Sequence, residues 1–356
     1  MKFTKENTLE LKGIMVLLLV FHHCFYGIST LGPTIEIGNI EYNLIQSMAM
    51  AARICVMAFI VVSGYGLYKT VGTDKCKLYT KSFVKLYLNY FFVVVLTLLI
   101  TLFFRSDFPE IYCEDSIFKI LYRITTSLTG VQYLFASGGI NMTWWFASFL
   151  IICYCLYPFL LKGVDKYPLQ LLFISLLFVP FRDVTVFHIG VFGILSYISS
   201  FILGMVLARY EILEKICYSS KRIGNYILVI LCIIAKLLLY RIEVVTYYID
   251  LLLIVLIMII LMKKKIKLRI CQWFGKMSMD IYYFHYLFIF YIALFSNFIY
   301  SKQNFIIIYL KAMAISIMMH YIVVFIRKIL RIDVLIGKIG NCLERKYKEI
   351  RRNETV

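Results

Sequence analysis

From its first residues the chain alternates long apolar runs with short connections that are mostly basic. Ten segments stand out: 14–31, 48–68, 83–104, 144–161, 168–181, 190–208, 225–240, 244–262, 280–300 and 304–326. Most approach the roughly 20 residues that a helix needs to cross a hydrocarbon layer about 30 Å thick. Polar and apolar positions do not alternate within them, as the strands of a membrane barrel would require. The pattern predicts an all-α, polytopic transmembrane helix bundle of about ten spans. The first run follows a short charged start, and no small-residue cleavage site comes after it, so it is expected to be retained. The stretch 117–136 is only moderately apolar. Counting it as a span would reverse the side of every later loop, including Lys263–Lys264–Lys265, so an outer re-entrant or interfacial segment is expected there.

Composition agrees: 62% of residues are hydrophobic and the mean hydropathy is +0.84, beyond soluble-domain usage. A net charge of +18 would suit nucleic acid, but its placement argues against that partner. With the N-terminus inside, the cytoplasmic connections hold 29 of the 38 Lys and Arg residues. The outer loops carry Glu36, Glu41, Asp107 and Asp183 instead. This is the positive-inside pattern, and it puts both termini in the cytoplasm. A single integral-membrane domain is expected across residues 1–356, its spans lying between about 11 and 327. A basic amphipathic tail, 328–356, then lies on the inner surface. The ten cysteines are scattered, with no CxxC pair and no Cys/His ligand spacing, so no metal site is expected. No repeat or inverted pair of halves is visible. The long outer connections are 32–47 and 105–143, the second holding Ser137-Gly138-Gly139 just before Trp144 and Trp145. Loops of that length point to an outward-facing site.

Ionisable side chains inside a membrane mark function by default, and here they are His22, His23, Arg53, Lys236, Asp250, His285, Lys311 and His320. In the first span, Lys12 and His23 are about 20° from eclipsed and about 16 Å apart along the axis, whereas His22 points about 80° away from Lys12. One face thus carries a cation at the inner edge and, deeper, an imidazole able to take a proton near neutral pH. Both histidines bonding to backbone is the plainer alternative. Lys77, Lys81 and Lys85 repeat every four residues. They form either an ordinary positive-inside stripe or a phosphate-binding edge. Ser278, Tyr282 and His285 share one face of the ninth span, as a polar stripe or as a structural seam between helices.

Taken in order, these residues resemble the acyltransferase 3 family of bacterial integral-membrane O-acyltransferases. Lys12, Gly13 and His23 match the first-helix motif. Phe59-Ile60-Val61-Val62-Ser63-Gly64-Tyr65 is similar to the phrase that ends the second helix. Lys81 to Leu88 aligns with the basic motif of the third, with lysines for arginines and Leu88 for a proline. Trp145-Phe146, with Tyr154 and Pro158 downstream, resembles the Trp motif, although Leu150, Ile151 and Ile152 stand where many members have acidic residues. Phe201-Ile202-Leu203-Gly204-Met205 and Gly275-x-x-Ser278-x-x-x-Tyr282-x-x-His285 complete the series, from Leu11 to about Arg327.

The resemblance implies an O-acyltransferase of the bacterial cytoplasmic (inner) membrane. It would move an acyl group, acetyl being the expected one, from cytoplasmic acetyl-CoA or another acyl-CoA to a hydroxyl of a cell-envelope polysaccharide, glycan or lipid-linked sugar. The acyl-CoA is a co-substrate and no bound cofactor is implied. Partners are the acyl-CoA, the carbohydrate or glycolipid acceptor, membrane lipids and polysaccharide-synthesis machinery. His23 is the implied general base, and Lys12, Lys81 and Lys85 hold the donor. Arg53 stabilises the oxyanion, Ser278, Tyr282 and His285 orient donor or histidine, and Ser63 and Trp145 support through their motifs. A transporter or flippase for a lipid-linked sugar or exopolysaccharide, and a non-enzymatic partner of a polysaccharide synthase, are the rival classes.

Overall fold

The computed structural model describes residues 1–26, 39–71, 77–112, 116–135, 140–180, 190–239, 241–301 and 304–353. Among these residues there is no strand, and the fold is all-helical. In chain order the helices are α1 (Lys5–Phe25), α2 (Asn39–Ala51), α3 (Ile54–Val71), α4 (Lys77–Phe103), α5 (Pro109–Tyr112) and α6 (Ile117–Thr129). Then come α7 (Trp145–Lys166), α8 (Pro168–Leu177), α9 (Gly190–Arg209), α10 (Ile212–Ser219) and α11 (Arg222–Leu238). The last are α12 (Glu243–Lys263), α13 (Arg269–Tyr286), α14 (Ala293–Tyr300), α15 (Phe305–Ile329) and α16 (Ile332–Asn353). A π-helical turn, Leu287–Tyr291, separates α13 from α14.

Six helical stretches are long and apolar enough to cross a bilayer, and two bent pairs raise the number to eight when each pair counts once. The chain is a multi-pass membrane protein. The remaining two of the ten expected segments are α8 and α11, with 10 and 17 residues. At 1.5 Å per residue they reach about 15 and 25 Å, short of the hydrocarbon thickness. Helix α6, within the doubtful stretch 117–136, has 13 residues and is about 20 Å long. Ile117, Phe118, Leu121 and Tyr122 form an exposed apolar face on it. This suits an interfacial helix better than a span. The Ser137–Gly139 turn lies outside the described residues.

Two compact units make up the chain: Met1–Val62 with Tyr210–Tyr321, and Ser63–Arg209 with Ile322–Val356. In the first, α1 is the central element. Thr4 and Asn7 close a capping box at its start, with the Asn7 amide accepted by Thr4 Oγ1 at 3.2 Å and the Thr4 amide by Asn7 Oδ1 at 3.0 Å. Leu11, Met15, Val16, Leu19, Val20 and Cys24 recur at helical spacing and are buried. Helix α1 packs on α2, α12 and, most extensively, α13. Two glycines let that last pair touch. A methyl group on Gly13 would strike the backbone carbonyl of Cys271, and one on Gly275 the carbonyl of Leu9. Such small-residue contacts hold helices together where lipid supplies no hydrophobic drive.

In the second unit α7 packs on α4, α8 and α9, and α16 lies along α4. Gly64 of α3 has the same role as Gly13, since a side chain there would meet the Phe201 carbonyl of α9. Helix α16 accounts for most of the expected tail. Ile336 and Gly340 are buried, Asn341 accepts from Lys81 Nζ at 3.1 Å, and Asp333 accepts from Arg327 at 2.5 Å.

Gly13→Ala and Gly275→Ala should each lower stability by about 1–3 kcal/mol, because the methyl meets backbone that cannot rotate away. Gly66→Ala, where a Cβ meets nothing within 4 Å, should not. Thermal unfolding in detergent measures all three.

Candidate active site

The glycine contact between α1 and α13 brings two imidazoles together. His23 and His285 have ring centroids 4.9 Å apart, and the Tyr286 ring stands 5.3 Å from His23. His285 is fully buried. Its Nδ1 donates to the carbonyls of Ile281 and Tyr282, both at 2.9 Å, which places the proton on Nδ1 and a lone pair on Nε2. No described residue donates to that Nε2. Immediately after Tyr286 the helix widens into its π turn, and the axis then bends by 83° into α14. Single π turns inside helices are frequent at functional sites.

His22 and His23 adjoin in sequence but differ in use. Between α2 and α3 the backbone breaks at Ala52 and Arg53. The Arg53 N–H turns to the Met50 carbonyl, three residues back, at 3.2 Å, instead of reaching Ala49. His22 Nδ1 donates to the Ala49 carbonyl at 2.7 Å. His22 is therefore committed to sealing a helix break. His23, half-buried, has ring contacts but no hydrogen bond among the described residues.

Lys12, one face with His23, is also half-buried and has no ion pair or hydrogen bond among the described residues. On the far side of α1, two residues away and about 200° round the helix, lies Glu10, which the sequence reading passed over. Glu10 is 1% exposed, pairs with Lys264 at 2.5 Å, and accepts from the Leu268 amide and Gln272 Nε2, each at 3.0 Å. Its charge is spent on the N-terminal end of α13, where the helix dipole favours an anion. An acidic residue on an apolar helix, opposite the basic run 263–269, was the available signal.

The remaining ionisable groups are partnered. Arg53 holds Glu243 with both terminal nitrogens, at 3.3 and 2.8 Å. Lys236 and Asp250 form a buried ion pair between α11 and α12. His320 Nδ1 lies 2.6 Å from Asp280, and Lys311 donates to the Phe298 carbonyl and Ser301 Oγ. Ser278 Oγ donates to the Gly275 carbonyl of its own helix at 2.9 Å, and Tyr282 is buried beside it. A cavity of about 430 Å³, walled by Leu17, Phe21, Ala52, Leu253 and Ile257, opens roughly opposite His23 on α1.

The first unit thus gathers Lys12, His23, Arg53, Ser278, Tyr282 and His285. Ser63, Lys81, Lys85 and Trp145 belong to the second. There Lys81 and Lys85 are exposed one turn apart on α4, and the Trp145 ring lies 5.0 Å from Tyr197. The Lys77 side chain is outside the described part. Among the described residues no three His, Cys, Asp or Glu side chains converge as metal ligands would.

A family model for an acyltransferase domain (acyltransferase 3) matches residues 10–324. Neither a curated protein nor a solved structure shows a match to the chain.

Thermal unfolding should separate the adjacent histidines. His22→Ala leaves the buried Ala49 carbonyl unpaired and should cost about 1–3 kcal/mol. His23→Ala, which uncovers no backbone carbonyl, should cost less than His22→Ala.

Proposed function

Because the chain belongs to the acyltransferase 3 family, we propose that it transfers an acyl group, acetyl first, from a cytoplasmic acyl-CoA to a carbohydrate hydroxyl of the bacterial cell envelope. The observation that carries this reading is the pair on one face of α1, the cation Lys12 and the imidazole His23, neither with an ion pair or hydrogen bond among the described residues. The two are about 16 Å apart along the helix. A cation at one end and a base at the other suit an extended donor, its phosphates at Lys12 and its thioester near His23.

In this mechanism a ring nitrogen of His23 takes the proton of the acceptor hydroxyl as its oxygen attacks the thioester carbonyl. The C–S bond then breaks, and the departing thiolate takes the proton from His23. General-base help of this kind is typically worth 10²–10⁴-fold in rate. Lys81 and Lys85 offer two further cations for phosphate, as point charges and without the bidentate fork that arginines would bring. Arg53 would reach an oxyanion only by parting from Glu243. Tyr282 and Ser278 line the buried side of α13 near the imidazoles. The acceptor is a glycan or lipid-linked sugar, and the bacterial inner membrane and polysaccharide-synthesis machinery are the expected setting. About ten spans, with both termini cytoplasmic, would complete the topology on the charge pattern.

A flippase for a lipid-linked sugar is the second reading, favoured by the interruption at Ala52–Arg53 and the break after Tyr291, since discontinuous helices build transport sites. The two readings differ in donor use: only a transferase consumes labelled acetyl-CoA.

Purified protein should move label from acetyl-CoA to an envelope-glycan acceptor. His23→Ala should lower kcat by about 10²–10⁴-fold; a wild-type rate in that variant would end the proposal. Lys12→Met should raise the donor KM by about tenfold or more, the loss expected for one charge-assisted phosphate contact.

A further inference from the structure

The buried Nε2 of His285 has no use in the scheme above. A buried acceptor left unpaired is costly, so such atoms are rare and call for a specific partner. The identity of that partner is narrowed by three facts. The atom is closed off from the surroundings, so a side chain already packed against it is the nearest source of a donor. The two rings beside His285 are His23, at 4.9 Å between centroids, and Tyr286, at 6.3 Å. Tyr286 is the next residue along the chain, turned about 100° round the helix. His23, in contrast, comes from the facing helix and has no competing hydrogen bond among the described residues. At that separation, facing nitrogens of two imidazoles fall within hydrogen-bond reach after a small ring rotation.

We propose that His285 is the positioning residue for His23: its Nε2 accepts one N–H of His23, leaving the other His23 nitrogen unprotonated toward the acceptor hydroxyl. The inference rests on the reading of His23 as the base. The two backbone carbonyls that fix the proton on His285 Nδ1 are what make its Nε2 an acceptor. A His–His pair thus does what a carboxylate does for a histidine base elsewhere: it selects the tautomer and the ring orientation. It does so without placing a formal charge among apolar helices, where charge is expensive. During transfer the hydroxyl proton moves to the free nitrogen of His23 and from there to the departing thiolate. His285 neither gains nor loses a proton, so its contribution is geometric.

The test pairs two substitutions with one spectrum, all on the full chain in lipid nanodiscs. His285→Gln puts an amide oxygen near the position of Nε2, whereas His285→Asn keeps a donor for the backbone carbonyls but is too short to reach His23. The Asn variant should lose about 100-fold in kcat, the scale of a misplaced catalytic group, with the donor KM little changed. The Gln variant should stay at least about tenfold faster than Asn. Equal rates in the two variants would overturn the proposal. The chain has only five histidines. In histidine-¹⁵N-labelled wild type, a coupling across an N–H···N hydrogen bond should link His23 and His285. Its absence would also overturn the assignment, even if neither variant folded. A wild type that shows the coupling but transfers no acyl group would sink the acyltransfer reading and leave the histidine pair standing.

Discussion

The contact between α1 and α13 is the constraint on which the candidate site depends. Gly13 and Gly275 remove the side chains that would hold the two backbones apart, and Glu10 ties the start of α13 to α1 through Lys264, the Leu268 amide and Gln272. Between lipid-facing helices there is no water to expel, so close van der Waals approach and internal hydrogen bonds must do the joining. With these ends pinned, the register of the two helices follows. That register sets His23 beside His285 seven residues beyond Ser278, at the point where α13 loosens into its π turn.

A second theme is how polar groups are tolerated among apolar helices. The charged ones are paired, Arg53 with Glu243 and Lys236 with Asp250, and the pairs join different helices. The backbone break at Ala52–Arg53 is closed by His22 at the Ala49 carbonyl. Among the described residues of the first unit, Lys12 and His23 have no ion pair or hydrogen bond, and the buried Nε2 of His285 has no donor. Of the two neighbouring histidines, His22 is thus held by a backbone carbonyl and His23 by ring contacts. The carbonyl that His22 takes is one that the shifted backbone bond of Arg53 leaves open.

Much of this was legible in the sequence. The apolar segments are helical over most of their described residues, two of them interrupted, and six to eight helical stretches are long and apolar enough to cross a bilayer. The alignment of Lys12 with His23 needed only the helical period, and so did the preference for His23 over His22. Other features were hidden because they depend on contacts between distant segments. Glu10 reads as one more acidic residue until Lys264 and Leu268 arrive beside it, more than 250 positions away. The break at Ala52–Arg53 falls inside a continuous apolar run with no glycine or proline at the break itself. Helices α8 and α11 fall short of a full span because hydropathy registers composition, not where a helix begins and ends.

The π turn at Leu287–Tyr291 carries a consequence for how such a chain can change over evolutionary time. A π turn holds one more residue than the α turn it replaces, and the bend that follows it disconnects the rotation of α14 from that of α13. An inserted or deleted residue beyond Tyr291 would rotate or shift α14 without turning His285 away from α1. The part of this helix beyond the bend is thus free to drift in length and facing while the imidazole pair keeps its register, a joint that can be remodelled without disturbing the contact between α1 and α13.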